Sequence, residues 1–161
     1  MNTNNNLDLN TIKAITNLYA AALKDRLEDN NTNASHKLSN SIRDIVKYDG
    51  KYLTVSIQLE DYWKYVENGR RSGKFPPIDE IKKWISVKPV IPRGKSGKIP
   101  TENQLAFLIG RKISKKGTRP QPFVAPTTRD FGLVDKIVAA LNKAFTEEIN
   151  KDIEQLKDNQ K

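Results

Sequence analysis

One stretch constrains the fold of this chain more than any other. Asp49-Gly50-Lys51 separates residues 41–48 from 52–59, and the second run, YLTVSIQL, alternates with Leu53, Val55, Ile57 and Leu59 on one face. Period-two alternation marks a half-buried strand, and Asp-Gly supplies the positive-φ geometry of a tight turn, so an antiparallel β-hairpin is expected here. Whether residues 37–41 begin that hairpin or end a short helix stays open, because SIRDIV fits either period. Elsewhere the apolar residues recur at helical spacing. Ile12, Ile15, Tyr19, Ala22 and Leu27 outline a helix over 11–29, and Asn30 to Asn33 break it.

After the hairpin, residues 61–68 predict two helical turns stopped by Gly69, and Pro76-Pro77 precede an amphipathic helix carrying Ile78, Ile81, Trp84 and Ile85. Thr101-Glu102-Asn103-Gln104 has the spacing of a capping box. It opens a helix with Leu105, Leu108, Ile109 and Ile113 on its inner face and Gly117 just past its end. From 133 to 156, Ile137, Leu141, Phe145, Ile149 and Ile153 form one stripe on a helix of about 35 Å, the expected spine for the hairpin. The fold class is therefore α+β: an N-terminal helix, a small antiparallel sheet, two inserted helices and a long C-terminal helix packed on the sheet. A chain of 161 residues is most simply one domain and buries roughly 70% of its unfolded surface. We expect residues 1–8 to be a flexible arm, 9–156 the domain with a basic insert at about 69–119, and 157–161 a flexible tail.

The charge is regional. From Arg70 to Arg119 there are fourteen Lys and Arg against Asp79, Glu80 and Glu102, a balance of +11, whereas the whole chain carries +9. Everything outside that window therefore sums to −2, which implies a regional partner. Scattered charges would read as a solvated surface. Three Gly-containing basic loops, holding Arg70, Arg71 and Lys74, then Arg93, Lys95 and Lys98, then Lys115, Lys116 and Arg119 behind Arg111 and Lys112, point instead to phosphate or an acidic rim on a protein. No helix-turn-helix, zinc finger or RNA-recognition pattern accompanies them, so backbone contact is favoured over sequence reading.

Catalytic chemistry finds little support. There is no cysteine, which removes disulfides, thiolate zinc and a cysteine nucleophile, and the single histidine, His36, sits in a polar linker. RGKSGK contains Gly-Lys-Ser, but the glycine that a phosphate loop needs five residues before Gly94 is Pro89. Ser41, Ser56, Thr127 and Thr128 have no general base nearby in sequence, and the acids of the last helix pair with lysines at i, i+4. We expect no enzyme, no cofactor and no metal. MNTNNNLDLN lacks the basic-then-apolar pattern of an export signal, and no segment approaches the ~20 apolar residues of a membrane helix, so a soluble intracellular product is expected.

The most concentrated functional signal is YWKYVENGRRSGKFPP, Tyr62 to Pro77. Tyr62 and Val66 at i, i+4 plug the end of a core, or Trp63 and Tyr65 anchor a neighbouring subunit. Glu67 has three readings: a backbone cap, a partner for Arg70, or a bridge to another protomer. Phe123, between Pro122 and Val124, packs into the core or against an adjacent subunit.

The order of these pieces resembles the tail-completion and head–tail joining proteins of tailed bacteriophages. The resemblance rests on a "K-L-S-N-S-I" segment entering the hairpin, on Tyr65, Val66, Glu67 and Gly69 after its second strand, and on Pro122, Phe123, Ala125 and Pro126 before the last helix. It covers most of the chain from Leu38 to Phe145. It implies a non-enzymatic virion component forming a ring, on the order of six or twelve copies, at the neck or upper tail. Its implied partners are portal, connector or tail-tube proteins, with genomic DNA passing by and no membrane involved. Tyr62, Trp63, Tyr65, Glu67, Pro122 and Phe123 would then lie at subunit interfaces, and the basic loops would face DNA or an acidic partner. The insert from Phe75 to Gly117, with two helices and a basic loop, departs from the smaller members. A free nucleic-acid-binding protein acting through the basic loops is the alternative.

Overall fold

The computed structural model describes residues 9–32, 34–88 and 99–158. It is α+β: α1 (Leu9–Asp29), α2 (Lys37–Ser41), β1 (Arg43–Tyr48), β2 (Leu53–Gln58), α3 (Trp63–Asn68), α4 (Ile78–Val87), α5 (Glu102–Lys116), α6 (Val124–Phe131) and α7 (Leu133–Asp158). The chain divides into two compact units. One takes the described residues up to Lys24, Ile42–Gln58 and those from Ala125 on; the other takes Asp25–Ser41 and Leu59–Val124.

In the first unit, β1 and β2 pair antiparallel with Arg43 opposite Gln58 and Tyr48 opposite Leu53. The Asp49 carboxylate accepts the Lys51 and Tyr52 backbone N–H groups at 2.9 and 2.7 Å, closing the turn while Gly50 takes φ +90°. These two bonds, Tyr52 first, hold the exposed Asp49 carboxyl below its ordinary value. Along β2, half-buried Leu53, Val55 and Ile57 alternate with exposed Thr54, Ser56 and Gln58, as the pleat requires. Within this unit α1 presents Ile12, Thr16, Tyr19, Ala20 and Leu23 as a buried face. Thr16 donates to Asp44 of β1 at 3.1 Å, and the Tyr19 ring meets Phe131 with centroids 5.5 Å apart.

The most enclosed helix of this unit is thus α1. None of α7's 26 residues is buried, and Phe145 and Ile149 are 50% and 59% exposed, so the expected spine contributes far less burial than its stripe implies. Gly132, at φ +63°, separates α7 from α6.

In the second unit, residues 37–41, open between two readings, form the short helix α2, and buried Leu38 lies on it. The capping box opens α5: Gln104 N–H donates to Thr101 Oγ1 at 3.3 Å and Thr101 N–H to Gln104 Oε1 at 3.0 Å. Its buried face is rotated from the expected one. Ala106 and Gly110 are buried, whereas Leu108 is exposed, because Phe75 lies over Gly110 and against Phe107 with centroids 5.7 Å apart. A Cβ on Gly110 would sit 2.6 Å from Phe75 Cζ, so the small side chain is what lets that ring in.

Candidate functional site

Two segments far apart in sequence, 66–73 and 114–124, are joined in the second unit by an antiparallel series of hydrogen bonds. Gln121 N–H donates to Val66 C=O at 2.8 Å, Arg70 and Thr118 exchange backbone bonds at 3.3 and 2.8 Å, and Gly73 N–H donates to Ser114 C=O at 2.7 Å. Side chains reinforce the series. Thr118 Oγ1 accepts a second bond from Arg70 N–H at 2.9 Å, and Ser114 Oγ donates to Gly73 C=O at 2.7 Å.

Glycines permit this approach. Gly69 has φ +71° and ψ −179°, and Gly117 has φ +70° and ψ −163°, a region almost closed to residues with a Cβ. A Cβ on Gly69 would collide with the Thr118 carbonyl oxygen, and one on Gly117 with that of Arg70.

The end of the series is fixed by Glu67, 9% exposed. Its Oε2 accepts the backbone N–H groups of Phe123 at 2.7 Å and Val124 at 2.8 Å, where α6 begins. A carboxylate at a helix N-terminus satisfies donors that have no partner within the helix and complements the helix dipole. The backbone cap, one of the three readings of Glu67, is present, and it reaches across 56 residues of sequence.

Phe123 is fully enclosed. Two of the six residues expected at a subunit boundary, Glu67 and Phe123, are thus buried in the chain itself, where a ring gains from enclosure and a carboxylate from N–H partners. The other four are more open. Tyr65 is 62% exposed, Tyr62 and Pro122 are exposed and Trp63 is half-buried. The Pro122 carbonyl accepts from Asn30 Nδ2 at 3.1 Å. Burial, and secondarily the charge of Glu60, pushes the Tyr62 phenol up.

The joined segments carry two of the three basic loops. Arg71, Lys74, Lys115, Lys116 and Arg119 are exposed, and Arg70 is half-buried with its guanidinium donating to the Lys74 carbonyl at 2.8 Å. Neither 69–75 nor 110–123 contains an acid. Arg111 and Lys112 continue the exposed cations along α5. Arg93, Lys95 and Lys98 lie outside the described residues.

Beside this basic surface runs a groove of about 610 Å³, with Ile81, Ile109 and Ile113 among its lining, Tyr65 and Trp84 as aromatic walls and Arg119 at its rim. Trp84, 42% exposed, also lines a second cavity of about 720 Å³ with Tyr62 and Leu38. Trp84 is one of the apolar residues that make α4 amphipathic in sequence. At 100° per residue it sits about 90° from the centre of the Ile78, Ile81, Ile85 stripe, a signal that it stands on the shoulder. Lys88 and Arg70 add charge to the groove, and Glu80, hydrogen-bonded to Lys83 at 2.8 Å and thereby lowered in pKa, is its acid.

His36 is exposed, at φ +53°, with Nδ1 3.8 Å from Glu28 Oε1. Among the described residues no group of three or more His, Cys, Asp or Glu could hold a metal ion, and no helix is long and apolar enough to cross a membrane. Compared with known proteins, the sequence matches no family model, no curated relative and no solved structure.

Proposed function

We propose that the chain is a structural, non-enzymatic subunit of a tailed bacteriophage, assembling as a ring at the head–tail junction or upper tail, with its basic surface turned to DNA or to an acidic partner. The observation that carries the assembly reading is α7. Val134, Val138, Phe145, Ile149, Ile153 and Leu156 are 44–67% exposed and lie on one stripe, and a contiguous apolar face of that length is the mark of a surface meant to be covered by another molecule. The phage setting rests on the resemblance of Tyr65, Val66, Glu67, Gly69, Pro122 and Phe123 to the joining proteins. Removing the chain from the source phage then leaves filled heads and separate tails; particles that join normally without it contradict the proposal.

A second reading, a free protein that covers nucleic acid without reading its sequence, is favoured by the joined loops. Backbone bonds bring two acid-free basic segments, more than forty residues apart, onto one surface, the arrangement that phosphate contact uses. Binding through six or more phosphates weakens about 10³-fold or more between 50 and 200 mM salt, whereas apolar assembly survives the same change.

A further inference from the structure

The chain carries a helix face and a groove whose chemistries are complementary. On α7 the six exposed apolar residues from Val134 to Leu156 span roughly 100° of arc at 100° per residue, a stripe wide enough to be a packing face. From Phe145 to Asp158 the helix holds five acids against Lys151 and Lys157. Two of the acids, Glu148 and Asp152, stand one turn apart along one edge of the stripe. The groove of the second unit has the opposite pattern: an isoleucine floor, Tyr65 and Trp84 as walls, and, among the described residues, Arg70, Lys88 and Arg119 as cations against Glu80 alone.

We infer that the segment of α7 around Phe145, Ile149 and Ile153 docks in the groove of a second copy of this chain, with Glu148 and Asp152 facing the rim cations. The inference rests on the assembly reading and names its contact. The charge pattern selects the occupant: an apolar helix flanked by acids matches an apolar floor flanked by cations, and helix-in-groove recognition uses anchors at this i, i+4 spacing. Phe145 to Ile153 covers about 12 Å of helix, so three anchors occupy one groove. Because helix and groove are different surfaces, the contact is heterologous. Each copy offers one of each, and repetition closes into a ring when the rotation per subunit allows it.

Two full-length variants test this contact. One blocks the groove, with Trp84→Glu and Arg119→Glu; the other blocks the helix, with Ile149→Lys and Asp152→Lys. All four positions are exposed, so both variants are expected to keep wild-type helicity and thermal unfolding. Should either fail to fold, Tyr65→Arg and Phe145→Lys replace them, at side chains 62% and 50% exposed. By sedimentation over a concentration series, wild type is expected to self-associate, and each variant alone to do so about tenfold or more weakly. An equimolar mixture is expected to form a dimer that grows no further, because the first variant still offers a helix and the second a groove.

A wild-type chain monomeric at every concentration overturns the inference. So does a groove variant that associates like wild type, which would show helix pairing with helix, and so does a mixture that yields no dimer. Any of these results leaves the assembly reading standing if the chain is found as a ring in particles, and absence from particles removes that reading whatever the sedimentation shows.

Discussion

Glu67 Oε2 accepts the backbone N–H of Phe123 at 2.7 Å, so a buried carboxylate on one short helix caps the start of another 56 residues away. The same oxygen holds Val124 N–H, and the enclosed Phe123 ring lies directly against this junction in the chain. The Val-Glu-Asn-Gly and Pro-Gln-Pro-Phe motifs, separate in sequence, are one structural device.

Glu67→Ala is expected to destabilise the fold by about 1.5 to 3 kcal/mol, the range for hydrogen bonds to a charged partner, since two N–H groups lose their acceptor. Glu67→Gln keeps a carbonyl oxygen and should recover more than half of the loss. Urea unfolding of the two variants measures both values. An unchanged midpoint for Glu67→Ala would show that the cap contributes nothing.

Phe123→Ala removes a fully enclosed ring and is expected to cost about 3 to 5 kcal/mol in the same assay. A loss below about 1 kcal/mol would show that the site collapses around the deletion or is open in solution.

Gly69→Ala and Gly117→Ala each force a Cβ into a backbone region nearly reserved for glycine and against a carbonyl of the facing segment. Each is expected to cost about 1 to 3 kcal/mol and to raise amide exchange at Arg70 and Thr118, whose mutual bonds the glycines permit. Wild-type protection at these two amides would refute that role.

Replacing Arg71, Lys74 and Lys116 together by Ala should leave stability within about 0.5 kcal/mol per site, because all three are exposed. Arg70 is left out because its guanidinium holds the Lys74 carbonyl. If these cations meet phosphate, the slope of log affinity against log salt for duplex DNA flattens by about 3. An unaltered slope would place nucleic acid elsewhere.

The exposed Asp49 carboxyl is held low by N–H bonds from Tyr52 and Lys51. A folded-state pKa below the unfolded one means that the turn's stabilisation is fully present above the unfolded value, about 3.9, and is lost as pH falls through the lowered folded one. An NMR titration of the Asp49 side chain should give a midpoint below 3.9, with the Lys51 and Tyr52 amide signals moving together with it. A midpoint at or above 3.9 would contradict the turn geometry.

Elements whose instructions are local were legible in the sequence. Asp49-Gly50 closes the expected hairpin, Thr101 and Gln104 form the expected box, and Gly117 follows α5. Helix α6 was not foreseen, because its cap is Glu67, which no window around Val124 contains, and because Pro126 in its first turn reads as a breaker although that turn tolerates proline. Periodicity found the α7 stripe but not its exposure, since an apolar face carries no mark of whether its own chain or another covers it. The three basic loops were evident as composition. That two of them are zipped together through Arg70, Thr118, Gly73 and Ser114 depends on backbone bonds that side-chain patterns do not encode.

The most direct test of the assembly reading is mass spectrometry and cryo-electron microscopy of virions purified from the source culture. This chain is expected in the particle as a closed ring at the portal-proximal neck or upper tail, with the surface of Arg71, Lys74, Lys116 and Arg119 against DNA or an acidic neighbour. Its absence from particles, together with recovery on nucleic acid from infected cells, would contradict a role in virion assembly and leave the nucleic-acid-binding reading in its place.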